Sequence, residues 1–253
     1  MFDDGNRVRF TRPVDDAARQ WWIDKFYQPF DLTPEGMADS LMKTAPEPKL
    51  AVYEFIDARS ESFSLRVDGK LADQEFWYAH RSLDLRGAAF NAEGTFVSEN
   101  AQGKGVGTAL MGDLVDTCRI IKAEKITLHA ERTGRYAWAK FGFVPDASSW
   151  AQMKRDALVA LLSSESTLGR DRTNDFVRRI NDGGPEAIRI IASIDDPVPS
   201  RQLPRRFEPE MVPFARAFFL EQTGDWYGSL NLRDDATMKL VDSYRQTKKD
   251  GDR

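Results

Sequence analysis

Apolar residues recur along this chain with two periods, and the switches between them mark out its elements. Residues 7–10, Arg-Val-Arg-Phe, alternate as a short strand. From Pro13 the period becomes helical, with Val14, Ala17, Ala18, Trp21, Trp22 and Phe26 on one face. Thr33-Pro34-Glu35 predicts a second helix, threonine as its cap and proline in its first turn, and Pro46 and Pro48 close it. Residues 50–56, 62–67 and 76–85 read as successive antiparallel strands, with Asp68-Gly69-Lys70 as a turn. Residues 93–97 form a further strand. Val106, Ala109, Leu110, Leu114, Val115 and Cys118 then repeat at helical spacing, and in 125–130 Ile126, Leu128 and Ala130 share one side of a strand.

Beyond Phe143 the strand signals fade. Residues 150–162, 173–180, 185–192, 211–220 and 236–244 carry helical patterns, separated by Gly183-Gly184 and a proline-rich connector over 195–209. The charged end, 247–253, is expected to fray. The order predicts an α/β (α+β) fold, a central mixed sheet flanked by helices, followed by a mainly helical C-terminal extension.

Composition narrows the class. With 253 residues, 41% hydrophobic and 30% charged, the chain suits one or two folded domains. A net charge of −4 argues against a nucleic-acid-binding face. The single cysteine, Cys118, excludes an intrachain disulfide, fits a reducing, cytoplasmic setting, and on an apolar helix face is expected to be a buried thiol. No apolar run reaches a membrane span, and the charged N-terminus is no signal peptide. One cysteine and two separated histidines offer no metal-ligand spacing, so no metal is expected.

Residues 97–108, Val-Ser-Glu-Asn-Ala-Gln-Gly-Lys-Gly-Val-Gly-Thr, carry the chemistry. Glycines permit positive φ and let a ligand approach the backbone with no Cβ in the way. The helix that follows opens with N–H groups lacking intrahelical partners, which suits a phosphate or pyrophosphate. The dinucleotide fingerprint needs a third glycine where Gly103-x-Gly105-x-x-Thr108 has threonine, and the P-loop needs Ser or Thr where Lys104 is followed by Gly105. Gln102-x-x-Gly105-x-Gly107, set between strand and helix, instead resembles the acyl-CoA-binding motif of the GNAT acyltransferase superfamily. Downstream, Tyr136-Ala-Trp-Ala-Lys-Phe-Gly-Phe143 is similar to that family's Tyr-Glu-Lys-Leu-Gly-Phe segment, a short helix that ends at glycine and re-enters the sheet. The resemblance covers roughly residues 50–146.

This resemblance implies a GNAT-like acyltransferase domain over 1–148 and an extension over 149–253. It implies transfer of an acyl group, most simply acetyl from acetyl-CoA, to a primary amine by direct attack in a ternary complex. Acyl-CoA would be held by Gln102, Gly103, Lys104, Gly105, Val106, Gly107 and Thr108, by backbone N–H groups at Phe96, Val97 and Ser98, and by Trp138. Trp138 stands where the family carries a tyrosine that protonates the departing thiolate. Indole N–H is a donor without useful acidity, so Trp138 is expected to pack rather than to protonate; a thiol of pKa about 8.5 leaves acceptably as the thiolate. Glu131 replaces a usual asparagine.

Four residues are candidates for taking the amine proton. Glu93 leads into the cofactor loop and is the first choice. His129 and Glu131 share a strand face, two residues apart, and are the second. His80 lies in the strand before, and Glu99 is expected to be a solvated loop carboxylate. Trp21, Trp22, Phe26 and Tyr27 are expected to be core; the alternative is a wall of the acceptor groove, as the family pattern implies for helices at this place. The expected partners are acyl-CoA and an amine, without nucleic acid or membrane, and the sequence leaves the oligomeric state open. Two other readings stand beside the enzyme: a CoA-binding regulatory module without turnover, and acyl exchange with a carrier protein docked on Arg201, Arg205 and Arg206.

Overall fold

The structure, a computed structural model, describes residues 1–2, 5, 7–46, 49–72, 75–200 and 211–251. In chain order its main elements are β1 (Val8–Phe10), α1 (Asp16–Trp22), α2 (Pro34–Leu41), β2 (Lys49–Asp57), β3 (Ser62–Ala72), β4 (Glu75–Asp84), β5 (Ala89–Val97), α3 (Val106–Ile121), β6 (Lys125–Ala130), α4 (Gly134–Phe141), β7 (Val144–Pro145), α5 (Ala147–Ser163), α6 (Arg170–Asp182), β8 (Pro197–Pro199), β9 (Met211–Pro213), β10 (Trp226–Asn231) and α7 (Asp235–Gly251). The fold is mixed α/β, with a central mixed sheet and flanking helices, as the pattern predicts. The chain forms two compact units, Met1–Leu128 with Asn231–Arg253, and His129–Leu230. The division expected near residue 148 therefore falls inside the second unit.

In the first unit the strands lie in the order β1-β2-β3-β4-β5-β6. The β1/β2 and β5/β6 pairs are parallel and the others antiparallel. Strand alternation turns Ala51, Tyr53, Phe63, Leu65, Val67, Trp77, Ala79, Phe90 and Ala92 to one buried face. Trp22 and Phe26, on α1 and the π-helical turn after it, close over that face. Trp22 lies 5.2 Å from Phe63 and 5.6 Å from Tyr53, and Phe26 packs edge-on to Phe63. These rings, with Trp21, are core, as their period implies; Tyr27 stays exposed.

Helix α3 buries Leu110, Met111, Leu114, Val115 and Cys118, and burial pushes the Cys118 thiol pKa up. Asp113 of α3 accepts from the Thr44 backbone N–H (2.8 Å) and hydroxyl (2.9 Å). Asp116 is held by Arg245 of α7 at 2.8 Å, which lowers its carboxyl pKa.

The turn expected at Asp68-Gly69-Lys70 is absent. All three residues are paired within β3, opposite Tyr78, Trp77 and Phe76. Gly69 reads as a turn glycine, but its role is cross-strand: a Cβ there would lie 2.2 Å from the Trp77 indole, so only glycine leaves room for the ring.

In the second unit α4 ends at Gly142 in the left-handed region (φ 112°), with the Gly142 and Phe143 N–H groups returning to the Trp138 carbonyl. The chain then enters β7, which pairs antiparallel with β10. The Trp226 segment, expected within a helical extension, is thus a strand with Trp226 buried. Residues 211–220, read as one helix, begin as β9 paired with β8, and helix starts only at Phe214. Strands of three residues carry too few positions for a period to register. Among the described residues no helix is long and apolar enough to cross a membrane.

Candidate active site

On the face of the sheet opposite the aromatic core, β2, β3, β4 and β5 bring five polar side chains together. His80 Nδ1 lies 2.9 Å from Glu93 Oε2, and His80 Nε2 lies 3.0 Å from Glu54 Oε2. Ser64 Oγ donates to Glu54 at 3.0 Å and contacts His80 Nε2 at 2.7 Å. Ser82 Oγ donates to the other oxygen of Glu93. Each carboxylate is thus fixed by a hydroxyl and by an imidazole nitrogen.

A β-bulge creates this arrangement. His80 pairs with Gly94 and Ser82 with Asn91, so Ala92 and Glu93 together stand opposite the single residue Arg81. In an unbroken ladder Glu93 would face Arg81 and share its buried side. The extra residue moves Glu93 to the side of His80 and leaves Ala92 buried. A second irregularity in the β2/β3 pairing, between Tyr53 and Phe55, occurs at Glu54. Glu93, expected at the start of its strand, is in fact the bulge residue within β5.

Arg81 stabilises the bulge from the core side. Its side chain is 2% exposed, and one guanidinium nitrogen donates to the carbonyls of Gly94 (2.8 Å) and His80 (3.0 Å) while another donates to Thr95 Oγ1 at 2.9 Å. Burial brings its pKa down to about 10. Nothing in the alternation of β4 marks a buried arginine here.

Past the bulge, β5 has a paired neighbour on one side only among the described residues. Its parallel pairing with β6 ends at Ala92 opposite Leu128. The Ser98 N–H is donated to the Phe76 carbonyl at 2.9 Å. Antiparallel alternation then directs Phe96 and Gly94 toward β4, and Thr95 and Val97 to the opposite edge. Of the backbone donors expected at Phe96, Val97 and Ser98, only Val97 faces the open edge. Thr95, missed by sequence reasoning, joins it.

The loop that follows leads into the head of α3. Gln102 closes it, its side-chain amide donating to the Val97 carbonyl at 3.1 Å and its own N–H turned inward to Ser98. Gly103 and Gly105 have φ of 82° and 76°, which L side chains rarely adopt. Gly105 is the N-cap of the 16-residue α3, whose first intrahelical bond runs from the Ala109 N–H to the Gly105 carbonyl. The N–H groups of Val106, Gly107 and Thr108 therefore have no partner within the helix. Within the expected stretch 102–108 these three lack an intrahelical acceptor, whereas the Gln102 N–H is bonded to Ser98, and Lys104 is exposed beside them.

The second histidine site, in the other unit, is of a different kind. His129 Nδ1 lies 3.1 Å from Glu131 Oε1, and the imidazole stacks on Tyr227 at 4.1 Å and 8°. Asp225 completes a group whose ligand-type atoms lie within 4.8 Å of one another; Arg135 Nε stands 3.8 Å from Asp225. Sequence spacing had no means of bringing Asp225 to His129 and Glu131. Trp138 packs edge-on to Phe141 and Phe143. Arg201, Arg205 and Arg206, the basic patch considered for carrier docking, lie outside the described residues.

The acetyltransferase (GNAT) domain model matches residues 51–154, a span that runs from β2 through the bulge, the glycine loop, α3 and the Gly142 turn into α5. No curated protein sequence matches the chain. Among solved structures, that of a nourseothricin acetyltransferase is similar at 24% identity and a TM-score of 0.29, covering 37% of this chain; the match spans 55% of that protein's length. The bulged strand, its one-sided edge and the glycine turn at the head of α3 all lie within residues 51–154, the span that is similar to a GNAT acetyltransferase domain.

Proposed function

We propose that the protein is an acyl-CoA-dependent N-acyltransferase, using acetyl-CoA as donor and a primary amine as acceptor. The observation that carries this reading is the edge of β5 beyond Ala92, open on one side and leading within eight residues to the positive-φ glycines that cap α3. Such an edge offers backbone donors to an extended pantetheine arm, and the helix N-terminus offers donors and a favourable dipole to a pyrophosphate.

In this reading the pyrophosphate rests on the N–H groups of Val106, Gly107 and Thr108. The thioester lies along β5, its carbonyl oxygen accepting from Val97 or Thr95 N–H as charge develops. A neutral amine attacks the carbonyl carbon, Glu93 takes its proton, and the C–S bond breaks to release CoA as thiolate. No covalent intermediate on the protein is needed. Trp138 serves as packing, in keeping with its aromatic neighbours.

Incubating the protein with acetyl-CoA and a panel of amines while following thiol release tests this directly. Amine-dependent release is the expected result. Tight CoA binding with no release for any amine would favour the regulatory-module reading instead, and release only from an acylated carrier protein would favour the third.

A further inference from the structure

We propose that Arg81 is a positioning residue for the transfer step: its buried charge, acting through the Gly94–Thr95 peptide, makes the Thr95 N–H the donor that meets negative charge on the thioester oxygen. This role rests on the acyltransferase reading and goes beyond it, since that reading needs no charge behind β5.

Arg81 holds a full charge where charge is expensive. It is 2% exposed, and a pKa of about 10 leaves it protonated near neutral pH. None of its bonds goes to a carboxylate: Nη1 donates to the carbonyls of Gly94 (2.8 Å) and His80 (3.0 Å), and Nη2 donates to Thr95 Oγ1 (2.9 Å). The ionisable group it meets is the Cys118 thiol, which burial keeps neutral, so the guanidinium has no counter-charge among the described residues. An unpaired buried charge is costly. A neutral donor would serve if tying down the bulge were the whole task. What a neutral side chain cannot supply is positive potential.

One peptide group aims that potential. The Gly94 carbonyl and the Thr95 N–H belong to the same planar unit and point in opposite directions from it. The carbonyl meets the Arg81 guanidinium, and the N–H faces the edge of β5 beyond its pairing with β6. A charge-assisted bond at the oxygen draws electron density from the nitrogen and strengthens its N–H as a donor. The bond to the Thr95 hydroxyl fixes the guanidinium against this same unit. Val97 offers the other N–H on that edge, but no Arg81 bond reaches the Phe96 carbonyl of its peptide. As the amine adds to the thioester carbon, the carbonyl π pair moves onto the oxygen that faces Thr95. Glu93 takes the amine proton, the pair returns to reform the carbonyl, and the C–S pair leaves with the CoA sulfur. The oxygen carries most charge at the transition state, so a donor strengthened in this way favours that state over bound substrate.

The test follows the carbonyl resonance of acetyl-CoA, labelled with carbon-13 at that carbon and bound without amine to wild type, Arg81→Met and Arg81→Lys. Turnover, KM, donor Kd and thermal stability are measured on the same proteins. In the wild type a polarising donor should move the bound resonance downfield of free acetyl-CoA. Arg81→Met should return it most of the way and lower kcat at least about tenfold, below the roughly 10²–10³-fold typical of a lost oxyanion donor. Its KM and Kd should stay within about threefold of wild type, because the loss belongs to the transition state. Arg81→Lys keeps the charge but not the fork, and should fall between the two. A folded Arg81→Met that binds acetyl-CoA with the wild-type resonance and kcat overturns the role. So does a fall in kcat that leaves the resonance in place, which marks a bulge merely loosened. Where Arg81→Met does not fold, Arg81→Lys decides, and a resonance and kcat equal to wild type overturn the role. A wild-type bound resonance at the free position overturns it outright. The carbonyl readout needs only donor binding, so the two failures are separate: a wild type that binds acetyl-CoA but releases no thiol with any amine overturns the acyltransferase reading, and the role of Arg81 falls with it.

Discussion

The chain has two histidines, and both sit in strands beside a carboxylate, yet the structure treats them differently. His80 is approached at both ring nitrogens by acids, Glu93 from the neighbouring β5 and Glu54 from β2 two strands away, with serine hydroxyls securing those acids in turn. His129 pairs with Glu131, just past the end of β6, with Asp225 in the same cluster, and its ring face is covered by Tyr227. The His129 ring is held at one nitrogen and one face, whereas both nitrogens of His80 lie within hydrogen-bond reach of a carboxylate. From sequence the two seemed comparable, and the His129–Glu131 pair the stronger, because its partner was visible in the same strand. Proximity along a strand is thus a poor guide to a side chain's partners, which depend on what other strands deliver.

This contrast can be broken in several ways. The harshest is to remove the donor substrate on which any role for either histidine depends. Gly105→Asp puts a Cβ on a residue at φ 76° and a negative charge at the head of α3. It should weaken CoA binding by more than about 100-fold, or roughly 2.7 kcal/mol, while circular dichroism shows the fold retained. Wild-type-like binding in calorimetry would remove the glycine loop as the cofactor site.

Next in size is the proposed base, Glu93. Glu93→Gln should lower kcat/KM at least about 10²-fold near neutral pH, and the loss should shrink at high pH, where free amine is abundant. His129→Ala should leave the pH–rate profile in place. The reverse pattern, a normal profile in Glu93→Gln and a collapsed one in His129→Ala, would transfer the role to the second unit.

A smaller effect is expected at Trp138. Trp138→Phe keeps the aromatic packing with Phe141 and Phe143 and loses only the indole N–H, so kcat should stay within about tenfold of wild type. A hundredfold fall would mean that about 2.7 kcal/mol of transition-state stabilisation came from that N–H, and the packing role would be untenable.

The smallest change sharpens the description of His129. Tyr227→Leu removes the stacked ring but keeps an apolar side chain, and should cost about 1 kcal/mol of stability, the scale of an aromatic pair. Thermal unfolding would register it, and turnover should be unaffected. A large loss of turnover with unchanged stability would show that the His129 ring must be oriented for catalysis.

Much of this molecule was legible one residue at a time. The glycines at 103 and 105 announced positive φ, and both adopt it. Thr33 and Pro34 announced a helix start, and Thr33 accepts from the Gly36 N–H. Gly142 announced the end of α4, and the period of α3 announced its buried face, Cys118 included. These features are local: a backbone conformation, a cap and a helical face each depend on residues within one or two turns, so the sequence alone determines them.

The tertiary structure decided everything that depends on register. Glu54 lies 26 residues from His80 and reaches it only through two strand pairings. Asp225 joins Glu131 only because β10 and β7 bring distant segments into one unit. Gly69 looked like a turn because its glycine was visible and the Trp77 ring that requires it was not. Above all, the side of the sheet on which Glu93 lies depends on one extra residue opposite Arg81. Side chains in a strand alternate with period two, so a single inserted residue exchanges core for solvent face, and the buried Arg81 guanidinium that bonds the carbonyls of His80 beside it and Gly94 across from it reaches that insertion only in the folded sheet.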